Sequence, residues 1–226
     1  MEKPIYPSPY MRITQGYNEG THVDSFALDE AGMDSGIDYI LAPFTGVIKK
    51  IYRQDANEVW LESLEPVEYP DGTIDYMTMM FAHSNDVSNL FIGKKINQKD
   101  RFYFEGTKGN ATGNHCHFEC GKGKFTGTGW HANGKGYWII NNSKNPTHCL
   151  WIDDSIKILD SHGYTFKKVE PKVEPKPEQP IEPLPTPPVE EPKEERPFPK
   201  LIFTTPKDDV YAIKLKKNDK VYIERG

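Results

Sequence analysis

Nowhere in this chain does an apolar run approach the ~20 residues that a membrane-spanning helix needs, which excludes insertion through a helix. Cysteine is scarce: Cys116, Cys120 and Cys149 are the only three. An odd count in a chain of this size argues against a disulfide scaffold. The three read instead as reduced, buried thiols, with a structural Cys–His site through His148 and Cys149 the less favoured reading. The opening stretch MEKPIYPSPYMRITQGY has no apolar core and no small-residue cleavage site. It is therefore not expected to be a secretory signal, and synthesis as a soluble cytosolic product is expected. No large basic face appears in the first 169 residues, which carry a net charge of −4, so nucleic acid is not an expected partner. Long amphipathic helices and internal repeats are missing as well.

What is present divides the chain by composition. Its 226 residues leave room for one medium domain and something small. Eleven of the nineteen prolines fall within residues 170–199, interleaved with Glu and Lys. Proline lacks a backbone donor and has a fixed φ, so this stretch is expected to be an extended spacer. Three parts follow: a domain over 1–168, a Pro/Glu/Lys-rich linker over 169–199 and a basic tail over 200–226. The tail carries seven bases against four acids and reads as two or three short strands around Lys217-Asn218-Asp219. About 27 residues are too few for an independent core, so the tail would need a partner, a second copy or the first domain to order it.

Within residues 1–168 the signals are mostly β. Short apolar or alternating runs stand at 47–53, 58–64, 76–83, 102–106, 115–120 and 136–140. Turn residues separate them, and Pro70-Asp71-Gly72 marks a hairpin. Asp86–Leu90 reads as one helical turn, and WIDDSIKILD at 151–160 as a strand or a short helix. The expected fold is mainly β: an antiparallel sheet with a second smaller sheet or loops walling a groove.

Five residues could carry chemistry. His115 and His117 stand two apart in GNHCHFEC, so on a strand their imidazoles share one face while Cys116 faces the other. That suits one metal ligand with one base beside it. Taken alone, an HxH pair is more often two surface histidines. His83 ends the run YMTMMFAH, at a sheet rim. His22 and Asp29 lie in GTHVDSFALDEAG, and imidazole and carboxylate are both zinc ligands. Taken one at a time, none of these five residues is distinctive.

Together and in order, ITQGYNEGTH, FALD, FAH and GNHCHFE resemble the lysostaphin-type zinc metallopeptidases, family M23. The resemblance covers roughly residues 10–120, and the HxH strand with its upstream GNATGN loop matches most closely. It implies an antiparallel β peptidase core and one Zn²⁺ per catalytic domain. It further implies that His22, Asp29 and His117 are metal ligands and that His83 and His115 are the catalytic pair. Either of the pair could be the base. One departure stands out: six residues separate His22 from Asp29, where the family usually has three. On a continuous strand that spacing puts the two on opposite faces, so either the segment bends or Asp24 is the carboxylate ligand. Glu119, two beyond His117, is expected to support that histidine. His131 could line a substrate loop or simply be exposed, and His148 and His162 have no constellation around them.

The resemblance implies bacterial peptidoglycan as substrate, cut in the stem peptide or cross-bridge. A catalytic domain, a stiff spacer, a basic tail and no secretory signal together fit a bacteriophage endolysin. Such an enzyme is held in the host cytoplasm until lysis, and its tail could meet anionic wall polymers. Two alternatives are a non-catalytic wall-binding or virion assembly protein and a zinc N-acetylmuramoyl-L-alanine amidase.

Overall fold

The computed structural model describes residues 1–126 and 129–170. The linker beyond residue 170 and the tail at 200–226 lie outside the described residues. In chain order the strands are β1 (Tyr10–Gln15), β2 (Leu28–Glu30), β3 (Tyr39–Leu41), β4 (Gly46–Tyr52), β5 (Glu58–Ser63) and β6 (Val67–Glu68). Then come β7 (Ile74–Asp75), β8 (Met77–Ala82), β9 (Lys95–Ile96), β10 (Arg101–Phe104), β11 (Cys116–Lys122) and β12 (Trp130–Ala132). The last are β13 (Trp138–Ile140), β14 (Ser143–Lys144), β15 (Trp151–Ile152), β16 (Lys157–Asp160) and β17 (Lys167–Lys168). A 3₁₀ turn over Pro146–His148 is the one helical element among the described residues. No helix there is long and apolar enough to cross a membrane.

Nine strands form the main sheet, in the order β16-β1-β2-β11-β8-β5-β4-β9, with β14 joining β11. Its pairs are antiparallel except β1 with β16. Side-chain alternation gives the sheet two different faces. On β8, Met79 and Phe81 enter the large core, whereas Met80 and Ala82 join a smaller cluster with Trp60 and Ile140. On β11, Cys116, Phe118 and Cys120 also enter the large core. His117 and Glu119 consequently face the other way, as does Asp29 between Leu28 and Glu30 on β2. Burying a residue such as Phe118 contributes about 1.5–3 kcal/mol, which holds the strand's parity, and with it the direction of His117.

The Pro70-Asp71-Gly72 turn closes a hairpin. Val67 pairs with Asp75 and Glu68 with Ile74, and the pairing resumes between β5 and β8. Asp86–Leu90 contains a single hydrogen-bonded turn and no helical element: Leu90 N donates to Val87 O at 3.1 Å, and the Asp86 carboxylate accepts from Ser88 N at 2.7 Å, competing with a continued helical backbone bond. Residues 151–160 are strand, turn and strand, with the Asp153 carboxylate accepting from Ser155 N at 2.9 Å in the turn. All three cysteines are buried and free.

Candidate metal centre

Register brings the first two residues of the site together. His117 on β11 is the direct partner of Asp29 on β2 and, on its other side, of Ala82 on β8. Opposed residues on neighbouring antiparallel strands have Cβ atoms about 4.5–5.5 Å apart. His117 Nδ1 lies 3.1 Å from Asp29 Oδ1.

His22 reaches the same carboxylate from a loop. The segment between β1 and β2 folds into consecutive tight turns. His22 N donates to Glu19 O (2.7 Å), and Ser25 N donates to His22 O (3.1 Å). The six residues between His22 and Asp29 include these turns, where Asp24 takes a left-handed φ of +62°. Strand parity does not apply across such a bend, and His22 Nε2 stands 3.2 Å from Asp29 Oδ1. Asp24 is exposed and outside the cluster.

His22, Asp29 and His117 each offer a donor atom, all within 4.8 Å of one another, and they are the one such His/Cys/Asp/Glu group among the described residues. His148 and Cys149 form no such group. His22 Nε2 is buried without a hydrogen bond of normal geometry. A buried nitrogen left so costs free energy that a cation beside it would offset. Three N/O donors converging on one point, one an orphaned imidazole nitrogen, fit a tetrahedral zinc ion with a fourth position open.

Backbone carbonyls set the tautomers. A carbonyl can only accept, so the imidazole nitrogen facing it carries the proton. His22 Nδ1 faces Gly16 O at 2.9 Å, His83 Nδ1 faces Lys108 O at 2.8 Å, and His115 Nδ1 faces Gly113 O at 2.9 Å. Each Nε2 is thereby left as an acceptor. His117 differs: its Nδ1 faces Asp29, and its Nε2 lies 3.6 Å from Oε1 of Glu119, an ionic contact longer than a hydrogen bond. Glu119 is fully buried, and its other oxygen accepts from Ile140 N at 3.2 Å.

His83 and His115 stand beside this group, their ring centroids 4.6 Å apart, with His83 5.8 Å from His117. His115 immediately precedes β11, and its Nε2 is 3.7 Å from Asp29 Oδ1. His83 just follows β8 with a φ of +83°, a strained conformation for a non-glycine residue. That turn brings the His83 carbonyl against Gly106, where a Cβ would stand 2.4 Å from the oxygen. Only glycine fits there.

The charges are coupled. Burial pushes the Asp29 carboxyl up, but His117, which hydrogen-bonds it, and the adjacent His22 more than offset this and hold it well below the usual carboxylate range. For His117, burial favours the neutral ring. Asp29 and Glu119 outweigh it and lift the pKa to about 10. His83 goes the other way, to about 4, through burial and then the His117 charge. It is therefore neutral at neutral pH.

The site opens into a groove whose lining includes Asp55, Glu58, Tyr137 and Trp138. Burial lifts Glu58 to about 7. One wall is the β12–β13 hairpin, which carries His131, a candidate lining residue by sequence; from this hairpin it is Tyr137, Trp138 and Ile139 that line the groove. Trp138 is 59% exposed on this hairpin. Its ring meets Trp130 edge-on at 5.9 Å, and Trp130 stacks on buried Trp60 at 4.7 Å. His131, on the same hairpin, is exposed and faces Asn141 Oδ1 at 2.9 Å. The GYWII run was the available signal for this wall, but nothing in it indicates which side chain overhangs a groove.

No protein-family model matches the chain. Solved structures with detectable likeness include a zinc-containing peptidase from Vibrio cholerae, at 19% identity and a TM-score of 0.41. The alignment covers 54% of this chain and 37% of that one, so this chain spans little more than a third of its length. A variant of the catalytic domain of EnpA, a prophage-encoded M23 protein from Enterococcus faecalis, aligns at 18% identity and a TM-score of 0.39, over 54% of this chain and 88% of that one. A SpoIIQ–SpoIIIAH pore-forming complex aligns at 18% identity and a TM-score of 0.39, covering 66% and 92%.

Proposed function

We propose that this chain is a zinc-dependent endopeptidase acting on bacterial peptidoglycan. The observation that carries the reading is the convergence of His22, Asp29 and His117 on one point, with His83 and His115 paired beside them in an open groove. In this reading His22 Nε2, one Asp29 oxygen and His117 Nδ1 would hold the ion. Bound zinc would supply a Lewis acid and a water acidified towards a pKa of about 7.

The chain's own residues supply the rest. His83 is neutral at working pH and points an unprotonated Nε2 into the groove, so it can accept a proton at that atom. His115 presents the same atom from the adjacent position. Whichever ring gains the proton at Nε2 can return it to the leaving amine. The buried Glu119 carboxylate faces His117 Nε2 from behind. The exposed face of Trp138 and the carboxylates of Asp55 and Glu58 can orient an extended peptide along the groove.

The wider assignment is a bacteriophage lysis enzyme with its catalytic domain at 1–168, a spacer at 169–199 and a basic tail at 200–226. Its support is the compositional layout of the chain. The test is mass spectrometry of fragments released from purified peptidoglycan by chelated and zinc-restored protein. New amino and carboxyl ends within the stem or bridge, lost on chelation and regained with zinc, are expected. Intact stem peptides freed from muramic acid would instead mean an amidase, and no release from walls of several chemotypes would refute an enzymatic role.

A further inference from the structure

The loop that carries His22 is held by residues about 140 positions further along the chain. β16 runs parallel to β1, with Tyr10 beside Lys157 and Met11 beside Ile158. Parallel partners end at the same edge of a sheet. The turn leaving β16, at residues 161–164, therefore meets the loop leaving β1, at residues 16–22.

The contact is close and specific. A Cβ on Gly16 would stand 2.1 Å from Tyr164 Oη and 2.9 Å from His162 Cδ2, so only glycine admits this approach. Tyr17 N donates to Tyr164 Oη at 3.2 Å, and the two tyrosine rings stack at 4.7 Å. His162 Nε2 lies 2.9 Å from Oε1 of Glu19.

Glu19 lies at the centre of a closed circuit. Its carboxylate accepts from Gly16 N. Its backbone carbonyl accepts from His22 N at 2.7 Å. The Gly16 carbonyl in turn accepts from His22 Nδ1 at 2.9 Å. Both the main chain and the ring of His22 are thereby tied to Glu19, directly or through Gly16. The Glu19 and His162 side chains are 45% and 34% exposed, so the circuit is not part of the hydrophobic core.

We propose that Glu19, clamped by His162, is the positioning residue that fixes the ring of His22 for metal. It acts through Gly16, and the turn after β16 is thereby part of the metal centre's support. The inference rests on the zinc reading above. Its chemistry is that of an outer partner that orients a ligand and sets its tautomer, a role whose removal commonly weakens metal affinity 10- to 100-fold.

Two measurements on the full chain test it. In the first, a chromophoric chelator competes for zinc with wild type, Glu19→Ala, Glu19→Gln and His162→Ala, and the melting temperature of each zinc-free protein is recorded. Glu19→Ala and His162→Ala should bind zinc at least tenfold more weakly with nearly unchanged melting. Glu19→Gln, which keeps an oxygen for Gly16 N, should stay within about threefold of wild type. Equal affinity in wild type and Glu19→Ala overturns the proposal. The second measurement needs no metal. The Nδ1–H resonance of His22 in ¹⁵N-labelled protein should persist in wild type and be lost in Glu19→Ala, and its persistence in the variant also overturns the proposal. If wild type binds no zinc, the zinc reading fails and the His22 resonance alone decides the positioning role.

Discussion

In the metal-free protein a proton occupies the place where zinc would bind. Asp29 and Glu119 flank His117, which they hold protonated up to about pH 10. Asp29 is already ionised far below neutrality, and His83 is already neutral above about pH 4. Metal can take the Nδ1 lone pair only after the His117 proton leaves. Between pH 7.5 and 9 zinc binding should therefore release about one proton from His117, and apparent affinity should rise about tenfold per pH unit, or ~1.4 kcal/mol. Two assays read this independently. Calorimetric titration in buffers of different ionisation enthalpy counts the protons, and competition with a chelator of known pH dependence gives the slope. Glu119→Gln removes one of the two charges that raise the pKa, so the slope should flatten at a lower pH. Affinity independent of pH over this range, with no proton released, would refute the assigned charge state.

Two further outcomes follow from the same geometry. His83→Ala should keep zinc while peptidoglycan cleavage falls by roughly 10²–10⁴, the range for loss of a general acid or base; full activity would remove His83 from the mechanism. A third prediction concerns stability away from the groove. Glu105 is fully buried with one unpartnered oxygen, and burial lifts its carboxyl from the ordinary 4.5 to about 8. A carboxyl whose folded pKa exceeds its unfolded one contributes fully below about pH 4.5, and that contribution is lost as pH rises through about 8. Denaturant titrations of metal-free protein at pH 5 and pH 8.5 should show wild type losing a few kcal/mol more than Glu105→Gln. Equal losses would count against a raised carboxyl at this position.

The two levels of information divide along physical lines. Strand character could be read from local order, because alternation and β-rich composition depend on neighbours a few residues away. Phe118, between His117 and Glu119, shows this: burying it on one face of β11 sends both neighbours to the other. The residues that the structure brings together were also legible, but as an ordered set of motifs and not from any single histidine. Local order could not settle which carboxylate meets His22. Asp24 and Asp29 were both open until the chain path through Val23–Ser25 was known, because strand parity lapses in a turn. Which side chains of the β12–β13 segment face the groove, and the contact of His162 with Glu19, were likewise beyond the sequence. Trp138 overhangs the site because β12 and β13 fold back as a hairpin. His162 has no nearby partner in sequence and meets Glu19 only through the parallel pairing of β1 with β16. The amino-acid order by itself determined which side chains could bind metal and which face of each strand they take. The long-range register of the sheet decided which of them meet, because pairing between strands more than a hundred residues apart depends on the packing of the whole core.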